Sequence, residues 1–243
     1  MGERHMIRKG ILVLAAALIA SGSAFAGGDV SGKVSWEGKT PGRKALKMQA
    51  DPVCASKHTG KVLSDKVVVN ENGTMLNTFV YVSKGLEGKT FDVPATPVVL
   101  DQKGCLYTPK VLGVMAGQKI KILNNDGTLH NVHPKPKVNK EFNLAMPKFM
   151  KMKEVSLDKP EVMIPVKCDV HPWMSGHIGV TSHPFFSVSD GTGAFSLAGV
   201  PAGKYTVTAW HEVFGTKSVE VTVADGKSVA ADFSYSMADL KKN

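Results

Sequence analysis

The stretch Val166-Lys167-Cys168-Asp169-Val170-His171-Pro172-Trp173-Met174 places a thiol, an imidazole and a thioether within seven residues. Val162, Ile164 and Val166 share one parity with Cys168, which predicts a strand that delivers the thiol, and Ile178 and Val180 mark the outgoing strand. A second imidazole comes from far upstream, in Thr128-Leu129-His130-Asn131-Val132-His133. The run Gly117-Gln118-Lys119-Ile120-Lys121-Ile122-Leu123 before it alternates as a half-buried strand does, and Asn124-Asn125-Asp126-Gly127 is a turn signal. His130 is therefore placed at a strand end and Cys168, His171 and Met174 on a tight loop between strands. Thiolate and thioether are soft donors that suit Cu(I), and imidazole suits both oxidation states. Two His, one Cys and a weak Met form the donor set of a copper centre that changes oxidation state with little ligand movement. Two other readings use the same residues. Cys168 could be a buried core thiol beside structural histidines and a Met filler, or Cys and His could hold zinc, which favours four strong N and S ligands.

The loop Cys168-x-x-His171-x-x-Met174, together with His130-Asn131-Val132-His133, resembles the ligand segments of the cupredoxins, most nearly the amicyanin kind. The likeness covers roughly residues 90–182. It implies a Greek-key β-sandwich and one type 1 (blue) copper ion held by His130, Cys168, His171 and Met174. Asn131 matches a position that bonds across to the Cys loop, an outer contact that fixes ligand geometry. The resemblance also implies that His171 is where electrons leave. Pro172 and Trp173 flank His171 and are expected to shield its edge from water.

At the N-terminus, Arg4, Arg8 and Lys9 precede the apolar run Ile11 to Ala20, and Ala24-Phe25-Ala26 fits a small-residue cleavage site. This predicts a secretory signal over residues 1–26, too short for a good membrane span, and an exported, periplasmic or extracellular protein with no stable membrane insertion after cleavage. Export places the three cysteines in an oxidising compartment. With no metal partner evident near Cys54 or Cys105, these two are expected to form a disulfide that leaves Cys168 for metal; two separate free thiols are the alternative. The formal net charge is +9, and the chain stays basic without its first 26 residues. A basic surface suits an acidic redox partner. Export, and the lack of a basic run interleaved with aromatics, argue against nucleic acid.

The remaining segments also alternate. Gly32 to Gly38 reads as a strand and turn, Asn72-Gly73 as a tight turn, and Thr78 to Val82 as another strand. From about His183 the character changes to short strands punctuated by Gly, through Asp190-Gly191-Thr192-Gly193-Ala194-Phe195-Ser196-Leu197 and Pro201-Ala202-Gly203-Lys204-Tyr205. These runs resemble the carboxypeptidase regulatory-like, transthyretin-like β-sandwich, a module that is generally not catalytic. The fold class expected is all-β. The predicted organisation is a signal at 1–26, a copper domain at 27–182, a small sandwich at 183–236 and a tail at 237–243. Residues 27–90 could supply strands to the small sandwich, with the copper domain then inserted within it.

Met146, Met150 and Met152 cluster in a Lys- and Pro-rich stretch, where they could hold Cu(I) or serve as adaptable filler. His133 reads as a loop residue, and Trp210-His211-Glu212 could cover the copper loop. The chain has no Cys-x-x-Cys-His, no His-x-His pair, no Gly-x-Ser-x-Gly and no His-Glu-x-x-His. The reading is a non-enzymatic one-electron carrier that meets a redox protein such as a c-type cytochrome. A copper-delivery protein and a surface or carbohydrate-binding protein are the alternatives, because fold does not fix function.

Overall fold

The computed structural model describes residues 27–240 together with Gly2. The rest of the predicted signal segment and the last three residues of the tail lie outside the described residues. Among the described residues seventeen strands follow one another. They are β1 (Gly28–Glu37), β2 (Phe79–Lys84), β3 (Val98–Lys103), β4 (Leu106–Thr108), β5 (Val111–Met115), β6 (Lys119–Asn124), β7 (His130–Pro134), β8 (Leu144–Met146) and β9 (Met152–Ser156). Next come β10 (Glu161–Lys167), β11 (Ser175–Thr181), β12 (Phe186–Val188), β13 (Ala194–Val200), β14 (Gly203–His211), β15 (Gly215–Val223), β16 (Ser228–Ala230) and β17 (Phe233–Ser236). The one α-helix among the described residues is the single turn α1 (Pro52–Ala55), just after a 3-10 turn at Met48–Ala50.

The strands form two β-sandwiches, each with its own apolar core. In one, the five strands β5-β11-β10-β7-β8 face the four strands β4-β3-β6-β9. Leu100, Ile120 and Ile122 from the second sheet meet Leu112, Ile164, Val166 and Ile178 from the first. In the other, β13-β1-β16, with β17 also on β1, faces β12-β2-β14-β15, and Val34, Val82, Phe195, Leu197, Val207 and Tyr235 fill the space between. Burial of such side chains at about 25 cal/mol per Å² of apolar area drives each assembly. Strand β1 sits opposite residues from the far end of the chain (Ser31 against Ser196, Trp36 against Tyr235), and β2 pairs with β12 (Val80 against Ser187). Strands β1 and β2 thus belong to the sheets of the C-terminal segment, while residues 98–181 fill the other sandwich between β2 and β12.

The two sandwiches pack face to face. The face of the β2 sheet away from its own core presents Phe79 and Phe186, whose rings lie 5.8 Å apart. These rings fit over glycines of β5 and β11. A Cβ on Gly113 would lie 2.4 Å from the Phe186 ring, and one on Gly179 would lie 2.6 Å from Phe79. Gly113→Ala is therefore expected to destabilise the protein by about 1–3 kcal/mol through overpacking. Chemical denaturation checks this, and a loss within the noise would mean the contact yields easily. Further along the same face the Trp210 ring lies 4.8 Å from the His177 ring. Glu212 pairs with the buried Lys110 (3.4 Å), which also donates to the Ser175 carbonyl and hydroxyl (3.1 and 3.0 Å). Of the Trp210-His211-Glu212 run, then, Glu212 reaches the outgoing end of the Cys168–Met174 loop through Lys110.

The parity expected of β10 holds only at its end. Ile164, Val166 and Cys168 are buried, but Val162 is exposed, because the pairing with β11 shifts register between Glu161 and Ile164. The methionines also separate. Met146 is fully buried and its Sδ accepts from the Gln102 amide (3.1 Å), Met150 packs on the same core, and Met152 is exposed.

Candidate metal centre

Strand pairing brings the upstream histidine to the cysteine. β7 and β10 are antiparallel neighbours, with Lys167 opposite His133, so the start of β7 and the end of β10 share one corner of the sandwich. His130 is the first residue of β7 and Cys168 follows β10 directly. The loop after Cys168 is closed on itself: the Met174 N–H donates to the His171 carbonyl (2.9 Å) and the Cys168 N–H to the Met174 carbonyl (3.1 Å). Asn131 ties this loop to β7. Its side-chain carbonyl accepts from the Asp169 N–H (2.7 Å), while its amide donates to Asp169 Oδ2 (3.0 Å) and Asn143 Oδ1 (2.6 Å).

His130, Cys168 and His171 converge, with one donor atom from each lying within 4.8 Å of the others. His130 Nδ1 is 2.9 Å from His171 Nδ1, and Cys168 Sγ is 3.8 Å from His171 Nδ1. All three residues, and Met174 with them, are buried. Trp173 is half-buried with its ring 5.0 Å from that of His171, and its indole donates to the Cys105 carbonyl (3.2 Å); Pro172 is exposed. His133 is held elsewhere, by Asp169 (2.7 Å) and Glu141 (2.8 Å).

Two features go beyond the sequence reading. The first is that His171 does not reach the surface: it is 2% exposed. The turn around α1 lies over it, with Asp51 Oδ2 2.9 Å and Cys54 Sγ 3.6 Å from His171 Nε2. The second is that Cys54 and Cys105, which the sequence leaves without metal-binding neighbours, lie against this cluster. They form a disulfide across 51 positions. Pairing distant in sequence produces both effects, because α1 belongs to the connection between β1 and β2 and folds back over the neighbouring sandwich.

Each imidazole also has a carboxylate on its far nitrogen. His130 Nε2 lies 2.9 Å from Asp126 Oδ2 and His171 Nε2 lies 2.9 Å from Asp51 Oδ2. The hydrogen bond from His171 holds the Asp51 carboxyl below its ordinary value. Burial pushes Asp126 up, but hydrogen bonds from His130, the Cys105 and Gly104 N–H groups and Lys57 outweigh it, and the carboxyl is held low. Burial likewise works against a charged His130, yet Asp126 and Cys168 beside it raise its pKa. With Nε2 engaged, the Nδ1 atoms face each other and Cys168. This set of two inward imidazole nitrogens and one buried thiol fits a soft-to-borderline metal ion. Asp126 lies four residues before His130 in the predicted turn, so a sequence signal for it existed. Asp51 has none beyond standing three residues before Cys54.

Burial pushes the Cys168 thiol up, but hydrogen bonds from His130, the Asn131 backbone and His171 bring it down to about 7. A depressed thiol pKa adds stability that is full above the ordinary thiol value and is lost as pH falls through about 7. The metal-free protein is thus expected to become more stable as pH rises from about 7 toward the ordinary thiol range, and Cys168→Ala should flatten that rise. Denaturation curves at several pH values check it.

No family model matches the chain, and no curated protein matches it. Among solved structures, the chain is similar to a copper-containing nitrite reductase from Thermus scotoductus SA-01 at 23% identity and a TM-score of 0.31, over 40% of this chain and 25% of that one. The chain thus spans about a quarter of that enzyme's length. It is also similar to an oxidised amicyanin variant at 20% identity and a TM-score of 0.32, over 42% of this chain and 98% of that one. A purple cupredoxin from Nitrosopumilus maritimus matches at 19% identity and a TM-score of 0.30, over 35% of this chain and 99% of that one. Among the described residues no helix is long and apolar enough to cross a membrane.

Proposed function

We propose that the protein is an exported one-electron carrier with a single type 1 copper ion held by His130, Cys168, His171 and Met174, and that it catalyses no reaction of its own. The observation that carries this reading is the convergence of His130, Cys168 and His171 in a buried corner, with one donor atom from each within 4.8 Å of the others. A bound copper ion would supply the one-electron couple. Cys168, with its thiol pKa already lowered to about 7, is ready to bind as thiolate. The imidazoles present Nδ1 because their Nε2 atoms are taken. Met174, fully buried at the end of the loop, would complete the set with its weakly donating thioether. The surrounding core and α1 keep water out, and with His171 covered, the half-buried Trp173 ring packed on it is the contact through which a partner would exchange electrons. The strands at 98–181 make up the copper domain, and those at 28–37, 79–84 and 186–236 a carboxypeptidase regulatory-like module into which it is inserted.

The test is to mix the copper-loaded, reduced protein with an oxidised c-type cytochrome and with a copper chelator. Rapid cytochrome reduction with copper retained is expected. Copper surrendered to the chelator without cytochrome reduction would instead identify a delivery protein.

A further inference from the structure

The two carboxylates on the imidazoles are held by the disulfide itself. Asp51 uses Oδ1 to accept from the N–H groups of Val53 (2.7 Å) and Cys54 (3.3 Å), which leaves Oδ2 for His171 (2.9 Å). Asp126 accepts from the Gly104 N–H (2.6 Å) and Lys57 (3.3 Å) through Oδ1. Through Oδ2 it accepts from the Cys105 N–H (2.7 Å) and His130 (2.9 Å). Each half-cystine thus donates its own backbone N–H to the carboxylate that holds one imidazole, and the Cys54–Cys105 bond joins the two halves.

We propose that Asp51 and Asp126, framed by the Cys54–Cys105 disulfide, are positioning residues that fix both imidazoles with Nδ1 toward the metal and bias the centre toward the oxidised ion. The proposal deepens the copper reading and rests on it only for the redox bias. A carboxylate on the far nitrogen sets the tautomer and ring orientation and makes the imidazole a stronger donor. Its negative charge favours Cu(II) over Cu(I), because the more highly charged ion gains more from it. Asp51 comes from the connection between β1 and β2, outside the strands that carry the cluster, so the small sandwich takes part in tuning the site.

The experiment compares the wild-type protein with Asp51→Asn for Zn(II), Cu(I) and Cu(II) affinity by chelator competition. The Asn keeps an acceptor for Val53 and Cys54 and sets an NH2 group where Oδ2 stood. Asp51→Ala serves as a second variant should the first fail to fold. Loss of such an outer partner is expected to weaken Zn(II) and Cu(II) binding roughly 10–100-fold. Cu(I) binding should fall less, and each tenfold fall in the Cu(II) to Cu(I) affinity ratio raises the reduction potential by about 59 mV. A role confined to stability would leave that ratio unchanged. Zinc, which has no redox cycle, separates the two ideas. A protein that shows no thiolate–copper colour yet loses Zn(II) affinity in the variant overturns the electron-transfer reading and keeps the positioning role. A blue protein whose Asp51→Asn variant keeps all three affinities overturns the positioning role.

Discussion

Cys168→Ser is expected to leave a folded protein with no intense visible band after addition of Cu(II). The sulfur is the only soft anionic donor in the cluster, and its thiol pKa is held at about 7 by hydrogen bonds that a serine hydroxyl, ionising far higher, could not exploit in the same way. Copper affinity should fall by more than the roughly 10–100-fold that losing an outer hydrogen-bond partner costs, because a ligand itself is lost. Below about pH 7 stability should change little, since Ser is close to Cys in size, the thiol is then largely protonated, and the loop is closed by backbone bonds from Cys168 and Met174 that do not use the sulfur. Absorption spectra and chelator competition measure both effects. An undiminished band in the variant would place the chromophore elsewhere.

Reducing the Cys54–Cys105 disulfide, or replacing both residues by Ala, is expected to give the largest loss of stability. The bond closes a loop of 51 positions, and in the chain-entropy account a loop of that length is worth about 4 kcal/mol. For a chain of this size that corresponds to a fall in Tm on the order of 10 °C. The loop includes β2 of one sandwich and β3 of the other, so the constraint acts on how the two are joined as well as on the metal corner. Scanning calorimetry with and without a reductant that does not bind copper measures it. An unchanged Tm would mean that packing alone holds α1 over the cluster.

The sequence made the architecture legible wherever one face of a strand is buried, because alternation then has to follow the core. Strands β1 and β6 are of this kind. It misled at Val162, where a register shift inside β10 turns an apolar residue outward, something no periodicity carries. The donor cluster was legible because Cys168 and His171 share one short loop and His130 follows a clean strand. Its cover was not. Asp51 and Cys54 reach His171 across more than a hundred positions of chain, and a polar, irregular segment such as 42–65 gives no periodic clue to what it packs against. The resemblance lay in the loop alone, and a loop does not encode what a distant segment places over it.

The most direct measurement is the visible absorption and EPR spectrum of the purified protein after addition of one equivalent of Cu(II). The copper-centre account predicts an intense thiolate-to-copper band with narrow copper hyperfine splitting, bleached by reductant and restored by oxidant. A colourless protein, or only the weak signal of tetragonal Cu(II), would contradict it and take Cys168 out of the ligand set.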